Sequence, residues 1–170
     1  MCIDERVSLS GYDPKWIELA EREIERLAIG LGVPKDIEHI GSTAVPDLVA
    51  KPIIDLMLGV PTYPPADSLR GTIQALGYED CGEAGVPGRL YFRRRSLEAY
   101  NLHLLLRGGA LWASNLAFRD LLRSNAAARF RYAQAKEEAL RIGATTLVEY
   151  SASKSKTMSD LVALAKASAT

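Results

Sequence analysis

A small-residue turn and a single acidic residue lie close together in the sequence and could bind a phosphate group. Gly41 and Ser42 are small enough for backbone N–H groups to approach phosphate oxygens, and the hydroxyl groups of Ser42 and Thr43 add donors. Asp55 follows within the apolar segment Ile53 to Leu58. A carboxylate among apolar neighbours is costly without a partner, so we expect a cation or a hydroxyl group beside Asp55.

Three cations recur in the helical final third of the chain, one on each predicted helix. Arg119, Lys136 and Lys154 each lie on a stripe of mainly apolar residues, where a solvated charge is unusual. Taken singly, each pattern favours a long side chain that reaches water, so replacing Lys136 or Lys154 by alanine should leave stability nearly unchanged. Taken together, the three indicate a basic pocket opposite the Gly41–Ser42 turn. With Lys51 they could bind a polyphosphate without a metal ion.

A small sheet with helices packed around it must position these side chains, because strand-like and helix-like apolar patterns alternate along the chain. We therefore predict an α/β (α+β) fold with a short mixed sheet. Period-two spacing puts Asn101 and His103 on one face of a strand, and His103 could serve as a general acid or base. The strands are predicted at Asp36–Ile40, Pro52–Val60, Leu90–Arg95 and Tyr100–Leu106.

The helices follow from start signals and from apolar stripes at helical spacing. One helix is predicted after Asp13-Pro14 and another after Pro64-Pro65, because proline is favoured in the first helical turn. Thr146 with Glu149 three residues later is a capping box that begins the last helix. The final three helices are predicted at Ala110–Arg123, Ala126–Ile142 and Leu147–Ser168.

Composition narrows the possible partners. Lysines and arginines number 21 and acidic residues also 21, so the net charge does not favour binding to nucleic acid or to a membrane. No segment approaches the roughly 18 consecutive apolar residues of a membrane span, and the opening residues do not form a secretory signal. Cys2 and Cys81 lack metal-ligand spacing and are expected to be free thiols. We expect one cytoplasmic domain over residues 1–170, while the sequence does not predict the oligomeric state.

The sequence resembles the GrpB family, a compact offshoot of the nucleotidyltransferase fold. The resemblance is carried by the segment His39-Ile40-Gly41-Ser42-Thr43-Ala44-Val45-Pro46 and by Ala50-Lys51-Pro52-Ile53-Ile54-Asp55. It continues over nearly the whole chain through Gly77-Tyr78, His103, Phe118 to Arg123, Tyr132, Lys136, Tyr150 and Lys154. It implies that Asp55 and His103 are catalytic, and that Gly41, Ser42, Thr43, Lys51, Arg119, Lys136 and Lys154 bind a nucleotide.

The resemblance also implies a metal site with fewer ligands than nucleotidyl transfer usually employs. That chemistry uses two cations held by two or three carboxylates. Asp55 is present, but the second position of the Asp-x-Asp pattern is Met57, whose thioether does not bind magnesium, and the third position is His103. We therefore expect at most one weakly held Mg²⁺, on Asp55, arriving with a nucleoside triphosphate.

Two functional hypotheses remain open from the sequence. One is a minimal nucleotidyltransferase, with Gly41 to Thr43 on the phosphates, Asp55 on the metal ion and His103 as the base. The other is a non-catalytic module that binds a nucleotide or polyphosphate, or that assists folding, as the family's occurrence in fusion with dephospho-coenzyme A kinase implies. A Ser-His-Asp triad is disfavoured because no nucleophile elbow surrounds Ser42.

Overall fold

The structure is a computed structural model that describes residues 5–32 and 36–168. Its strands are β1 (Ile37–Ile40), β2 (Ile54–Val60), β3 (Glu79–Asp80), β4 (Arg89–Arg95) and β5 (Ala99–Leu106). Its helices are α1 (Lys15–Leu31), α2 (Asp67–Ala75), α3 (Ala110–Ser124), α4 (Ala126–Arg141), α5 (Leu147–Ser153) and α6 (Ser155–Ser168), with a short 3₁₀ helix at Ser42–Ala44. The predicted α/β architecture with a helical final third is confirmed.

The five strands form one mixed sheet in the order β1-β2-β5-β4-β3. The two central strands, β2 and β5, run parallel, and every other neighbouring pair is antiparallel. Asp55 pairs with Asn101 across the parallel ladder, and Met57 pairs with His103. Because side chains alternate between the two faces of a sheet, Asp55, Asn101 and His103 all lie on one face.

The opposite face of the sheet carries the main hydrophobic core. Alternate residues of β2 such as Leu56 and Leu58 pack there against α1 and α2 and are fully buried. Trp16 and Leu27 cover them from α1, and Ile73 covers them from α2. This core fixes the register of β2, since a one-residue slip would bury Asp55 in it.

The site face is covered by the C-terminal helices. Met57 and Leu105 pack against Trp112 of α3, and α4 and α6 add a second cluster with Tyr132 and Leu161. The segment before α1 also contributes: the N–H of Leu147, the first residue of α5, donates to the carbonyl of Glu5 at 2.9 Å. No helix among the described residues is long and apolar enough to cross a membrane.

Three sequence predictions need correction here. The helix predicted at Leu147–Ser168 is two helices, because the chain leaves helical geometry at Lys154 (φ −98°, ψ 1°). The short edge strand β3 was missed, since two residues give no periodic pattern. Cys81 is in a disulfide, so the free thiol predicted there is wrong, and Cys2 lies outside the described residues.

Candidate functional site

Gly41 brings the backbone of the Gly41–Ser42 turn against the carboxylate of Asp55. Ile40, at the end of β1, pairs with Asp55, so the next residue lies beside its side chain. Gly41 has φ 71° and ψ −166°, a conformation that essentially only glycine adopts. A Cβ atom on Gly41 would lie 2.6 Å from Oδ2 of Asp55. Glycine is therefore required both by the backbone conformation and by the close approach.

Asn101 is the direct partner of Asp55. Its Nδ2 donates to Oδ1 of Asp55 at 2.7 Å, and the residue is buried. The Oδ1 of Asn101 accepts from the Tyr91 hydroxyl at 2.7 Å and from Nη2 of Arg95 at 2.9 Å. Arg95 is in turn paired with Glu5 at 2.7 Å. A chain of hydrogen bonds thus runs from the Glu5 carboxylate, through two side chains, to Asp55.

His103 lies between Asp55 and Arg89. Its Nε2 is 3.5 Å from Oδ1 of Asp55, and its Nδ1 is 3.5 Å from Nη1 of Arg89. A guanidinium only donates and a carboxylate only accepts, so neutral His103 fits best with its proton on Nε2. The ring of Tyr91 lies against the imidazole with centroids 5.4 Å apart.

These neighbours determine the charge of Asp55. Burial alone would raise its pKa, but the hydrogen bond and the electrostatic attraction of the neighbouring His103, with smaller contributions from Lys51 and Asn101, outweigh burial and lower the pKa below its usual range. The carboxyl group is therefore ionised at neutral pH. Its side chain remains 26% exposed, on the wall of a cavity.

Lys136 holds the Gly41–Ser42 turn from the other side. Its Nζ donates to Oγ of Ser42 and to the carbonyl of Val49, both at 2.6 Å. The residue is only 2% exposed, so the prediction that it reaches water is wrong. Burial lowers the pKa of Lys136 well below its usual range, and the positive charges of Lys154 and Lys51 lower it further, opposed by Asp55.

The three lysines of the site all lie close to two tyrosines, Tyr132 and Tyr150. Lys154 donates to the Tyr132 hydroxyl at 3.0 Å, and its Nζ lies 5.0 Å from the centre of the Tyr150 ring. Nζ of Lys51 lies 5.9 Å from the Tyr150 ring, and Nζ of Lys136 lies 5.0 Å from the Tyr132 ring. The buried Tyr150 hydroxyl has no hydrogen-bond partner among the described residues. We call Lys51, Lys136 and Lys154 the lysine cluster.

The described part of the chain provides no carboxylate within ion-pair distance of the lysine cluster. Burial also lowers the pKa of Lys51, while the charges of Asp55 and Glu5 oppose the shift. A desolvated cation without an ion-pair partner is costly, so Lys51 and Lys136 prepare the cluster for an anion.

A cavity of about 610 Å³ joins these groups. Its wall includes eight of the residues predicted for the site, namely Gly41, Ser42, Thr43, Lys51, Asp55, His103, Lys136 and Lys154. The wall also has apolar residues from α3, α5, α6 and the loop before β4, namely Val86, Leu111, Phe118, Val148 and Met158. The cavity thus combines a cationic side with an apolar side.

Arg119 is the predicted site residue that the structure does not bring to this cavity. Its guanidinium donates to Glu38 at 2.8 Å and to Asp120 at 2.8 Å, and so ties α3 to β1. Thr43 lines the cavity, but its hydroxyl lies 3.0 Å from Nε2 of His39. Burial lowers the pKa of His39 to about 4, so this imidazole is neutral and structural at pH 7.

The donor set does not fit a protein-held pair of metal ions. Met57 is fully buried among Ile40, Leu105 and residues of α3, so its position faces dry core. Asn101 already directs its carboxamide oxygen toward Tyr91 and Arg95. Within residues 5–32 and 36–168, no group of three or more His, Cys, Asp or Glu side chains could hold a metal ion. Asp55 is the only carboxylate on the cavity wall among the described residues.

Two residues of the site were missed by sequence reasoning. Asn101 was placed on the face of His103, but its role beside Asp55 depends on the parallel register of β2 and β5, which local patterns do not determine. Arg89 lay one residue outside the predicted strand and next to a glycine-rich loop. A strand extended by one residue would have placed Arg89 on the same face as Tyr91.

Comparison with known proteins identifies relatives over almost the whole chain. The GrpB protein family matches residues 6–163. The UPF0157 protein YqkA of Bacillus subtilis is 34% identical over 136 residues, which are 78% of this chain and 39% of that protein. A dephospho-CoA kinase of Mycobacterium tuberculosis is 31% identical over 169 residues, covering 84% of this chain and 42% of the kinase. The chain thus spans about two fifths of the length of these two relatives.

Among solved structures, the crystal structure of the conserved protein GrpB from Enterococcus faecalis has the same fold. It superimposes with a TM-score of 0.82 at 31% sequence identity, over 93% of this chain and 96% of that chain. The resemblance read from the segment around Gly41 and Asp55 is therefore confirmed by sequence and by fold.

Proposed function

The chain belongs to the GrpB family, and on this premise we propose that its cavity binds a nucleoside triphosphate or another polyphosphate. The observation that carries the proposal is the lysine cluster. Lys51, Lys136 and Lys154 line one cavity, and the described residues offer them no carboxylate at ion-pair distance. A multiply charged anion would supply the missing counter-charge.

The phosphate groups would lie between the Gly41–Ser42 turn and the lysine cluster. Ser42 presents its hydroxyl beside Nζ of Lys136, so one phosphate oxygen could contact both. Gly41 allows the backbone to approach closely, and the Tyr150 hydroxyl, which has no hydrogen-bond partner in the described part of the chain, is a further donor on this wall. The apolar side of the cavity, which includes Phe118 and Val148, would accept a nucleobase or another flat apolar group.

Within this proposal, binding without turnover is the better supported alternative. Met57 occupies the second carboxylate position of the Asp-x-Asp pattern and is 0% exposed, so among the described carboxylates only Asp55 lies on the cavity wall to meet a Mg²⁺ that arrives with the nucleotide. The similarity to a dephospho-CoA kinase over less than half of that protein is compatible with an accessory binding module.

A minimal nucleotidyltransferase is the second candidate, and the polar neighbours of Asp55 favour it. An ionised carboxylate held by Asn101 at 2.7 Å is well oriented for a hydroxyl or a cation. His103, the proposed base, has its free lone pair on Nδ1, which lies beside Arg89. Proton transfer through His103 would thus require Arg89 to move from its present place.

A thermal-shift screen of the four nucleoside triphosphates, each with and without Mg²⁺, tests the proposal. A ligand at about 100 times its dissociation constant adds about 2.7 kcal/mol to the free energy of unfolding. We expect stabilisation by at least one triphosphate, largely retained without Mg²⁺, and mass analysis of the mixtures for transferred nucleotide separates binding from turnover.

The matched variants are Lys154→Gln and Lys156→Gln. Lys154 belongs to the lysine cluster, whereas Lys156 is an exposed lysine on α6 and lies outside the cavity wall. Lys154→Gln should weaken triphosphate binding about tenfold through the loss of a charge-assisted contact, and Lys156→Gln should leave it unchanged. Equal affinity of the two variants would exclude the lysine cluster as the phosphate site.

A further inference from the structure

Arg89 is a half-buried cation of the cavity and is separate from the lysine cluster. It begins β4, and its side chain lines the cavity wall. Nη2 donates to the carbonyls of Glu83 and Ala84 at 3.2 and 3.0 Å, and Nη1 faces Nδ1 of His103 at 3.5 Å. These contacts are with neutral groups. The described residues form no ion pair with Arg89.

The strand register places Arg89 on the side of Asp55 that is remote from the lysine cluster. Arg89 pairs with Leu105, which pairs with Gly59 near the far end of β2. Lys51 precedes β2 at the opposite end of that strand, and Lys136 contacts Ser42 beside it. Asp55 and Gly59 are four positions apart on β2, which corresponds to about 13 Å of backbone along a strand. The Arg89 side chain reaches back from that end and approaches Asp55 through His103, whereas Lys136 approaches it through the Gly41–Ser42 turn.

The guanidinium has unused donor capacity. It carries five N–H groups, of which Nη2 uses two on backbone carbonyls and Nη1 uses one toward His103. Nε is buried and has no hydrogen-bond partner within the described ranges. The backbone carbonyls of Glu83 and Ala84, together with the Tyr91 ring at 5.2 Å, hold the group in place. Burial lowers the pKa of Arg89, while the nearby Tyr91 and Asp55 oppose the shift.

We propose that Arg89, positioned by His103, forms an oxyanion subsite on the far side of Asp55, which recognises the carboxylate or phosphate group of a second small molecule. The proposal rests on the proposed function, because the first ligand is the polyphosphate at the lysine cluster. Asp55 then lies between two anion sites and repels charge, so a neutral hydroxyl of the second molecule is the group best placed beside it. The acceptor class is an acidic alcohol, either a hydroxy acid or a phosphorylated alcohol.

The test uses inorganic phosphate and acetate as separate probes, without nucleotide. The Nε–H resonance of Arg89 is observed by ¹⁵N NMR of the whole chain and is assigned by its absence in Arg89→Gln. Either probe should shift this resonance in a saturable way, and the probe that binds more tightly identifies the phosphate or the carboxylate as the group recognised. Lys154→Gln should leave the titration unchanged, because the lysine cluster is a different site.

Matched variants keep the experiment decisive. Arg93→Gln changes an arginine of the same strand that pairs with Glu79 at 2.7 Å and does not line the cavity. Affinity for the effective probe, measured by isothermal titration calorimetry, should fall about tenfold in Arg89→Gln and less than twofold in Arg93→Gln, with Arg89→Lys as a second variant that retains the charge.

The possible outcomes separate this inference from the proposed function. An Arg89 resonance that neither probe moves, or an Arg89→Gln variant that binds as the wild type does, overturns the subsite. If the Arg89 resonance titrates but no nucleoside triphosphate stabilises the protein, the subsite stands and the proposed function fails.

Discussion

Lys136 gives the sharpest test of how the site is built, because its charge is buried rather than solvated. In Lys136→Ala the buried aliphatic stem is lost at about 0.8 kcal/mol per methylene, and the carbonyl of Val49 loses its donor at about 1–3 kcal/mol. Removal of a desolvated charge offsets part of this loss. We expect a net destabilisation of about 2–4 kcal/mol, whereas a solvated lysine would lose less than about 1 kcal/mol.

Lys136→Met separates packing from charge. Methionine retains most of the stem and does not bury a charge, so we expect a change within about 1.5 kcal/mol at pH 7. Lys156→Met, at an exposed position on α6, is the control and should be close to neutral. Urea denaturation at 25 °C measures all three variants on one scale.

The pH dependence shows whether the charge is desolvated. The pKa of folded Lys136 lies well below 10.5, whereas that of an unfolded lysine is about 10.4. Between these values the unfolded chain binds more protons than the folded one, so the stability of the wild type relative to Lys136→Met rises with pH. The slope approaches about 1.4 kcal/mol per pH unit where folded Lys136 is fully deprotonated. A difference that stays flat from neutral pH to pH 10 would refute the reasoning.

Three further predictions concern the turn and its carboxylate. Gly41→Ala should destabilise the protein by more than about 2 kcal/mol, since the new Cβ atom would lie 2.6 Å from Oδ2 of Asp55. Gly71 lies inside α2 with open space around it, so the control Gly71→Ala should stabilise the protein by about 0.5–1 kcal/mol. Urea titrations of both variants check this. Asp55→Asn should cost about 1–3 kcal/mol of stability above pH 4. The lowered pKa of Asp55 contributes stability that is present above the unfolded-state pKa and is lost as the pH falls toward the folded-state pKa. Equal acid-unfolding profiles of wild type and variant would contradict this prediction. Met57→Asp should cost about 3 kcal/mol or more of stability, against less than about 1.5 kcal/mol for the control Met57→Leu. Calorimetry should detect no Mg²⁺ binding by Met57→Asp. A gain in Mg²⁺ affinity would show that the position is not dry core.

The sequence predicted the strands of the site well because their periodicity is local. Gly41, Ser42 and Asp55 lie on the predicted elements, and the shared face of Asn101 and His103 follows from period-two spacing. The hydrogen-bond partner of Asp55 was harder to predict, because several polar residues on a neighbouring strand could reach its carboxylate. Only the register between β2 and β5 selects Asn101, and 38 residues lie between the closest ends of these strands (Val60 and Ala99).

The burial and the partners of the helix cations could not be predicted, since an apolar stripe on a helix does not show which element packs against it. Lys136 and Arg119 have the same pattern on their helices, yet one bonds to the Gly41–Ser42 turn and the other pairs with Glu38. The break at Lys154 was missed for a similar reason, because the flanking residues are all compatible with a continuous helix.

The two walls of the cavity should differ in local stability. β2 and β5 are hydrogen-bonded to neighbouring strands on both sides, so the peptide groups of Asp55 and Asn101 should exchange with deuterium only when the whole domain unfolds. α5 and α6 meet at a non-helical residue and have largely exposed outer faces, so the amides around Lys154 should exchange through small local openings. A ligand that joins the two walls would slow exchange around Lys154 and leave the central strands unchanged, so deuterium uptake would locate the bound molecule before its chemical identity is known.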